Sequence, residues 1–291
     1  MRISDAATYD QNLGQLTRAR SELAKRQEQA TSGRRVLKPS DDPMAMALAR
    51  RERSREARAH AHQRAIDTGQ ANNEASDGAL DQVGSILTRV KELTIEAATD
   101  TVDAAARADI GLEVRALRDQ VHALANSDVG GRYLFGGFAD GTAPFDAAGA
   151  YVGDARVRQV EVAPGVRLDQ GVTDTTAFGS GATSVFTSLD NLATALAADN
   201  VATIRTSIDT VGAALNQVND ARAQLGANVD TLVMARNVAQ RVEDRSAIDQ
   251  TTLVGVQQDE AYLDFSRAQL ALQAAVQIAG QLPYAGLVQR G

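Results

Sequence analysis

Apolar residues recur in alternating steps of three and four along most of the chain, the spacing of a stripe on one face of a helix. Near the start, Ala6, Tyr9, Leu13, Leu16, Arg20, Leu23, Gln27 and Ala30 follow this spacing, and six of the eight are apolar. Thr31-Ser32-Gly33 ends that stretch, with Gly33 suited to the position just past a helix. Pro39-Ser40-Asp41-Asp42-Pro43 reads as a turn whose second half starts the next helix. Ser40, Asp41 or Asp42 can accept from the free N–H groups there, and Pro43 suits the first turn.

The pattern predicts a second helix from Pro43 toward Ala98. At ~1.5 Å per residue it is roughly 80 Å long, a rod more than a globular-domain helix. Its stripe is sharpest at Leu80, Val83, Leu87, Val90, Thr94 and Ala97. It breaks at 100–103 and resumes at Ile110, Val114, Leu117, Val121 and Leu124, as an antiparallel neighbour would. Between 130 and 181 the period changes: Val160 and Val162 alternate with Gln159 and Glu161, and Gly and Pro punctuate short runs. That pattern predicts a small antiparallel β-domain. The helical spacing returns from Ser184. Ile204, Ile208, Val211, Leu215, Val218, Arg222, Leu225, Val229 and Leu232 form the strongest seam in the chain, expected to pack on the 80–124 helices. Phe265, Ala268, Leu272, Ala275, Ala279 and Leu282 mark a weaker final one, rich in Ala and therefore in need of a partner.

The expected fold is mainly α. It is an elongated antiparallel helical bundle or coiled coil formed by the N- and C-terminal segments, with a small β-rich domain inserted at the tip. The expected organisation is a helical segment 1–129, a β-rich domain 130–183 and a helical segment 184–291 that pairs with the first.

Composition sharpens this picture. The chain of 291 residues has no Cys, no Trp and 5 Pro, so disulfide and thiolate chemistry is absent and helix is favoured. The net charge of −7 conceals an asymmetry: 17–65 carries +7 and the remainder −14. Basic and acidic stretches can attract each other within or between subunits. The first residues show no apolar run of the signal-peptide type, and no segment approaches the roughly 20 apolar residues that span a bilayer. The expectation is a cytoplasmic protein or one exported without a cleaved signal.

Little in the chain points to catalysis. His60 and His62 stand two apart and face different sides of a helix, His122 is isolated, and no HExxH occurs. Gly130-Gly131 and Gly136-Gly137 lack the Lys-Ser/Thr of a phosphate loop and read as turns. Asp41-Asp42 is explained by capping. The run Arg50, Arg51, Arg53, Arg55, Arg58 has no interleaved aromatics and reads as a solvated face or an inter-subunit charge contact rather than a nucleic-acid site. No catalytic, metal or cofactor residues are assigned, and no enzyme activity is expected.

Several segments carry a resemblance. Met1-Arg2-Ile3-Ser4 with Asn12, Leu13 and Leu16, and above all Ala30-Thr31-Ser32-Gly33-Arg34-Arg35-Val36-Leu37-Lys38-Pro39-Ser40-Asp41-Asp42-Pro43, resemble the flagellin superfamily and, within it, the hook-associated protein 3 (hook–filament junction) family. Gly131-Arg132-Tyr133-Leu134-Phe135-Gly136-Gly137, Tyr151-Val152-Gly153-Asp154, Val160, Val162, Gly165, Gly171 and Phe178 resemble that family's passage into its β-domain. Gln281-Leu282-Pro283-Tyr284-Ala285-Gly286-Leu287 departs from its usual ending.

The resemblance implies a secreted structural subunit of the bacterial flagellum, extracellular at the distal end of the hook. It implies export through the flagellar type III apparatus with no cleaved signal peptide. The implied partners are hook-associated protein 1, flagellin, further copies of itself in a ring, and a cytoplasmic export chaperone, with no nucleic acid and no membrane insertion. The residues it singles out for subunit assembly are Leu13, Leu16, Leu23, Leu270, Leu272 and Leu282, with Gly33, Pro39, Ser40, Asp41, Asp42 and Pro43 as a structural turn and cap. The nearest alternatives are a minor flagellin, decided by copy number, and a secreted enzyme on a flagellin scaffold, which the short insert without HExxH disfavours.

Overall fold

The computed structural model describes residues 2–280, with side chains from Asp10 onward. The chain is mainly α: seven helices and two small antiparallel sheets make up the regular structure of the described residues. The helices are α1 (Arg2–Ser32), α2 (Pro43–Ala97), α3 (Ala104–Ala125), α4 (Asp174–Ala177), α5 (Val185–Ala197), α6 (Val201–Val254) and α7 (Gln258–Gly280). The strands are β1 (Asp128–Val129), β2 (Arg132–Tyr133), β3 (Arg158–Ala163) and β4 (Val166–Gln170). Contacts divide the chain into two compact units, one of residues 1–58 with 242–291 and one of 59–241.

In the first unit α1 packs along α7. The two inter-helix turns are stitched by backbone bonds: Arg35 N–H donates to the Val254 carbonyl at 2.7 Å and Val256 N–H to the Gly33 carbonyl at 3.0 Å. Gly33 has φ +65°, the left-handed conformation that ends α1 and that a Cβ would disfavour. Val36, Ala45, Ala49 and Val254 form a small core beside this junction. Asp42, not Ser40, caps α2: its Oδ1 accepts from the Ala45 N–H at 2.9 Å. Asp41 instead ties the preceding turn, with Oδ2 accepting from the Leu37 and Lys38 N–H groups and Oδ1 from Lys25 at 3.0 Å. Lys25 and the Lys38 N–H hold the Asp41 carboxyl below the usual range, and the Ala45 N–H with Arg35 does the same for Asp42. Pro39 and Ser40 are exposed, and Pro43 opens α2.

The second unit holds the main core. Every position of the 80–97 seam is buried, as are Val114 and Val121 of α3 and Ile204, Val211, Val218, Leu225 and Leu232 of α6. Arg222 is the polar exception in that α6 seam. It turns back to Asp77 at 2.9 Å and Asp81 at 2.8 Å on α2. At one end of this unit Arg107, on α3, is buried and gathers three acceptors: the Ala97 and Thr99 carbonyls and Asp199. It thereby satisfies orphan carbonyls at the α2 C-terminus. Asp199 breaks the chain between α5 and α6 with φ 52°.

The β-rich insert consists of two separate antiparallel hairpins within irregular chain. β1–β2 turns through Gly130 and Gly131, both at positive φ, as a two-residue hairpin requires. β3–β4 turns at Pro164-Gly165, and Val160 and Val162 cover Ile66 and Leu232. The intervening aromatics do not form a core of their own. Phe135, Phe145 and Phe178 join Phe186 of α5 in the same buried cluster as α2, α3 and α6, with ring centroids 5.0–6.0 Å apart. Few large side chains stand in the chain, and most of its Phe residues are spent here.

Candidate assembly surface

The inward face of α1 differs from the stripe of apolar letters. Leu16, Leu23 and Ala30 are partly covered, but the residues that alternate with them are Asn12, Ala19 and Arg26; Leu13, Arg20 and Gln27 point to solvent. The reason is polar. Arg26 reaches Asp264 of α7 at 3.0 Å, and the buried Gln29 amide donates to the Arg35 carbonyl at 2.7 Å. These directional bonds fix the rotation of α1 more firmly than one leucine can.

On α7 the described part of the predicted seam faces inward: Ala268 is buried, and Phe265, Leu272, Ala275 and Ala279 are half-buried. The helix then carries a second apolar stripe on its opposite side. Leu263 and Leu270, seven residues apart, lie opposite the seam, Ile278 flanks them about 80° round the helix, and all three are exposed, Leu270 at 65%. The assembly residues named from the sequence therefore separate. Leu16, Leu23 and Leu272 are half-buried, Leu13 and Leu270 are exposed, and Leu282 lies outside the described residues, as does Pro283. The sequence reading singled out Leu270 but missed Leu263 and Ile278, although their spacing alone is a helical one.

The chemical alternatives find little footing. His62 Nδ1 lies 2.9 Å from the Glu161 carbonyl and His122 Nε2 is against that of Asp146, so one fastens strand β3 and the other a loop to a helix. Among the described residues no group of three His, Cys, Asp or Glu is placed to hold a metal. One cavity, beneath the β-hairpins beside Tyr151 and Asp174, measures about 40 Å³. That is room for ordered water, far below the several hundred Å³ of a substrate pocket. No helix among the described residues is long and apolar enough to cross a membrane.

Residues 3–140 match the family model of the bacterial flagellin N-terminal helical region. The chain resembles the flagellin superfamily. It is 28% identical to flagellar hook-associated protein 3 of Escherichia coli K12, over 94% of this chain and 95% of that relative. Among solved structures, a hook-associated protein from Vibrio parahaemolyticus matches with a TM-score of 0.65 at 23% identity, covering 72% of this chain and 99% of that one. The flagellar junction protein FlgL from Legionella pneumophila matches with a TM-score of 0.59 at 15% identity, over 72% and 100%. The chain is a structural protein of the bacterial flagellum, similar to hook-associated protein 3.

Proposed function

We propose that this chain joins the hook to the filament, as a ring of copies at the distal end of the hook between hook-associated protein 1 and flagellin. The observation that carries the reading is the second face of α7. One stripe, around Ala268 and Leu272, packs toward α1, while Leu263, Leu270 and Ile278 stand in solvent on a helix already paired. A soluble helix with apolar residues on two sides exposes surface that an assembly would cover. The chain acts mechanically: α1 and α7 bundle with those of neighbouring copies and no bond is made or broken. Export through the flagellar apparatus without a cleaved signal, with a cytoplasmic chaperone covering the C-terminal helix beforehand, completes the proposal.

The test is complementation of a strain that lacks its own junction protein. The chain should restore attached filaments, and Leu270→Asp should leave flagellin in the medium while the variant's melting temperature stays at the wild-type value. Attached filaments with Leu270→Asp would refute the role given to this face.

A further inference from the structure

In the first unit the two acids of α2 face one side and four of its five arginines, Arg53 excepted, lie on the other. Glu52 and Glu56 face α6, where Ser246 and Gln250 donate to them. Arg50, Arg51, Arg53, Arg55 and Arg58 are all exposed. Arg55 pairs with Glu52; the other four hold no ion pair with any described residue. Successive residues turn by about 100°, so Arg51, Arg55 and Arg58 share one side of the helix and Arg50 flanks it. The result is a cationic stripe in which, among the described residues, only Arg55 has a counter-charge.

The second unit carries the complement. On α6 the stretch 206–235 contains four charges: Asp209, Arg222, Asp220 and Asp230. Arg222 is withdrawn onto Asp77 and Asp81. Asp209, Asp220 and Asp230 are exposed, on the side opposite the buried Val211, Val218 and Leu225, and hold no ion pair with any described residue. The outer face of this part of α6 is therefore purely anionic. Arg50 to Arg58 spans about 12 Å and Asp220 to Asp230 about 15 Å at 1.5 Å per residue, a difference that long arginine stems cover.

We propose that the arginine stripe of α2 docks on the aspartate stripe of α6 in a second copy of this chain. The contact is heterologous. Each copy that donates its basic stripe keeps its acidic stripe free for the next, so the pairing propagates round a ring or along a helix and does not close as a two-fold dimer. It deepens the assembly reading above and rests on it. It adds a salt-sensitive lateral contact on the long helices to the apolar contact assigned to α7, and it fixes which side of each neighbour is met.

The full-length chain has no Cys, so engineered thiols report cleanly. Ser54 lies within the basic stripe and Ala227 between Asp220 and Asp230, and both are exposed. Ser54→Cys and Ala227→Cys chains, mixed equally with a short thiol-specific cross-linker at low salt, should give the mixed dimer in about tenfold excess over either like pair. The excess should collapse in 0.5 M salt, where the screening length falls to about 4 Å. Arg51→Glu with Arg58→Glu in the Ser54→Cys chain should abolish it, and Asp220→Arg with Asp230→Arg in the Ala227→Cys chain should restore it. Equal mixed and like dimers, no mixed dimer, an excess indifferent to salt, or reversal without rescue each overturn the contact. Complementation reads the junction role separately. A chain that restores filaments but gives no mixed dimer refutes this contact alone, and one that gives it but restores none refutes the junction role alone.

Discussion

Replacing Arg107 by Met should destabilise the second unit by about 3–6 kcal/mol. The guanidinium is 7% exposed and donates to the Ala97 carbonyl at 2.9 Å, the Thr99 carbonyl at 2.9 Å and Asp199 at 2.6 Å. Methionine keeps most of the apolar stem, so packing is a minor loss. The two carbonyls stand at the C-terminus of α2, where the helix dipole is negative and a cation is favoured. Each charge-assisted bond to a carbonyl contributes roughly 1.5–3 kcal/mol, so these two account for about 3–6 together. The Asp199 pair adds little, because Asp199 is 46% exposed and such a pair contributes under about 1 kcal/mol. At about 2–4 °C per kcal/mol for a unit of this size, Arg107→Met should melt on the order of 10 °C lower by circular dichroism. Asp199→Gly should be near neutral, since glycine relieves the φ 52° strain as the ion pair is lost. A loss below about 1 kcal/mol for Arg107→Met, or an Asp199→Gly loss equal to it, would refute the claim that α2's carbonyls are what Arg107 serves.

Three further outcomes can be measured on purified chains. Asp174 is 2% exposed and burial raises its pKa, so its proton is held more tightly in the fold than in the unfolded chain. Its contribution to stability is then full below the unfolded carboxyl value of about 3.9 and is lost as pH rises through the raised folded value; Asp174→Asn should gain melting temperature at pH 7 relative to pH 4 against wild type, and an unchanged difference would show that burial does not govern this group. Leu272→Asp should lower the melting of the first unit, because Leu272 lies on the half-buried side of α7, whereas Leu270→Asp should not; equal losses would contradict the two-sided reading of that helix. Gly149→Ala should destabilise the aromatic cluster, since its Cβ would come 2.5 Å from the Phe186 ring; a melting temperature equal to wild type would show that the ring moves aside freely.

The long helices were legible where burial is apolar and repeated. Leu80 to Ala97 and Ile204 to Leu232 announce their inward faces because each turn places an aliphatic side chain against the other helices. The face of α1 was not legible, since Arg26 and Gln29 enter its inward side by virtue of partners more than two hundred residues away in one case and at a backbone carbonyl in the other. Apolar letters cannot report such bonds. The insert was legible as a change of period, but not its arrangement: Phe135, Phe145 and Phe178 sit in chain without periodicity and find their place only when α5 supplies Phe186. The turn at 39–43 was read as a cap, and geometry alone divides the labour between Asp41 and Asp42. The arginine run was legible as charge; that Glu56 turns to Gln250 and that Glu52 is shared between Arg55 and Ser246 required the packing of α2 on α6.

The central claim is a place in an assembly, and immuno-electron microscopy of purified hook–filament structures carrying this chain tests it most directly. The account predicts label confined to one short zone where the hook meets the filament, and none along either. Label distributed along the filament would make the chain a filament subunit and contradict the account.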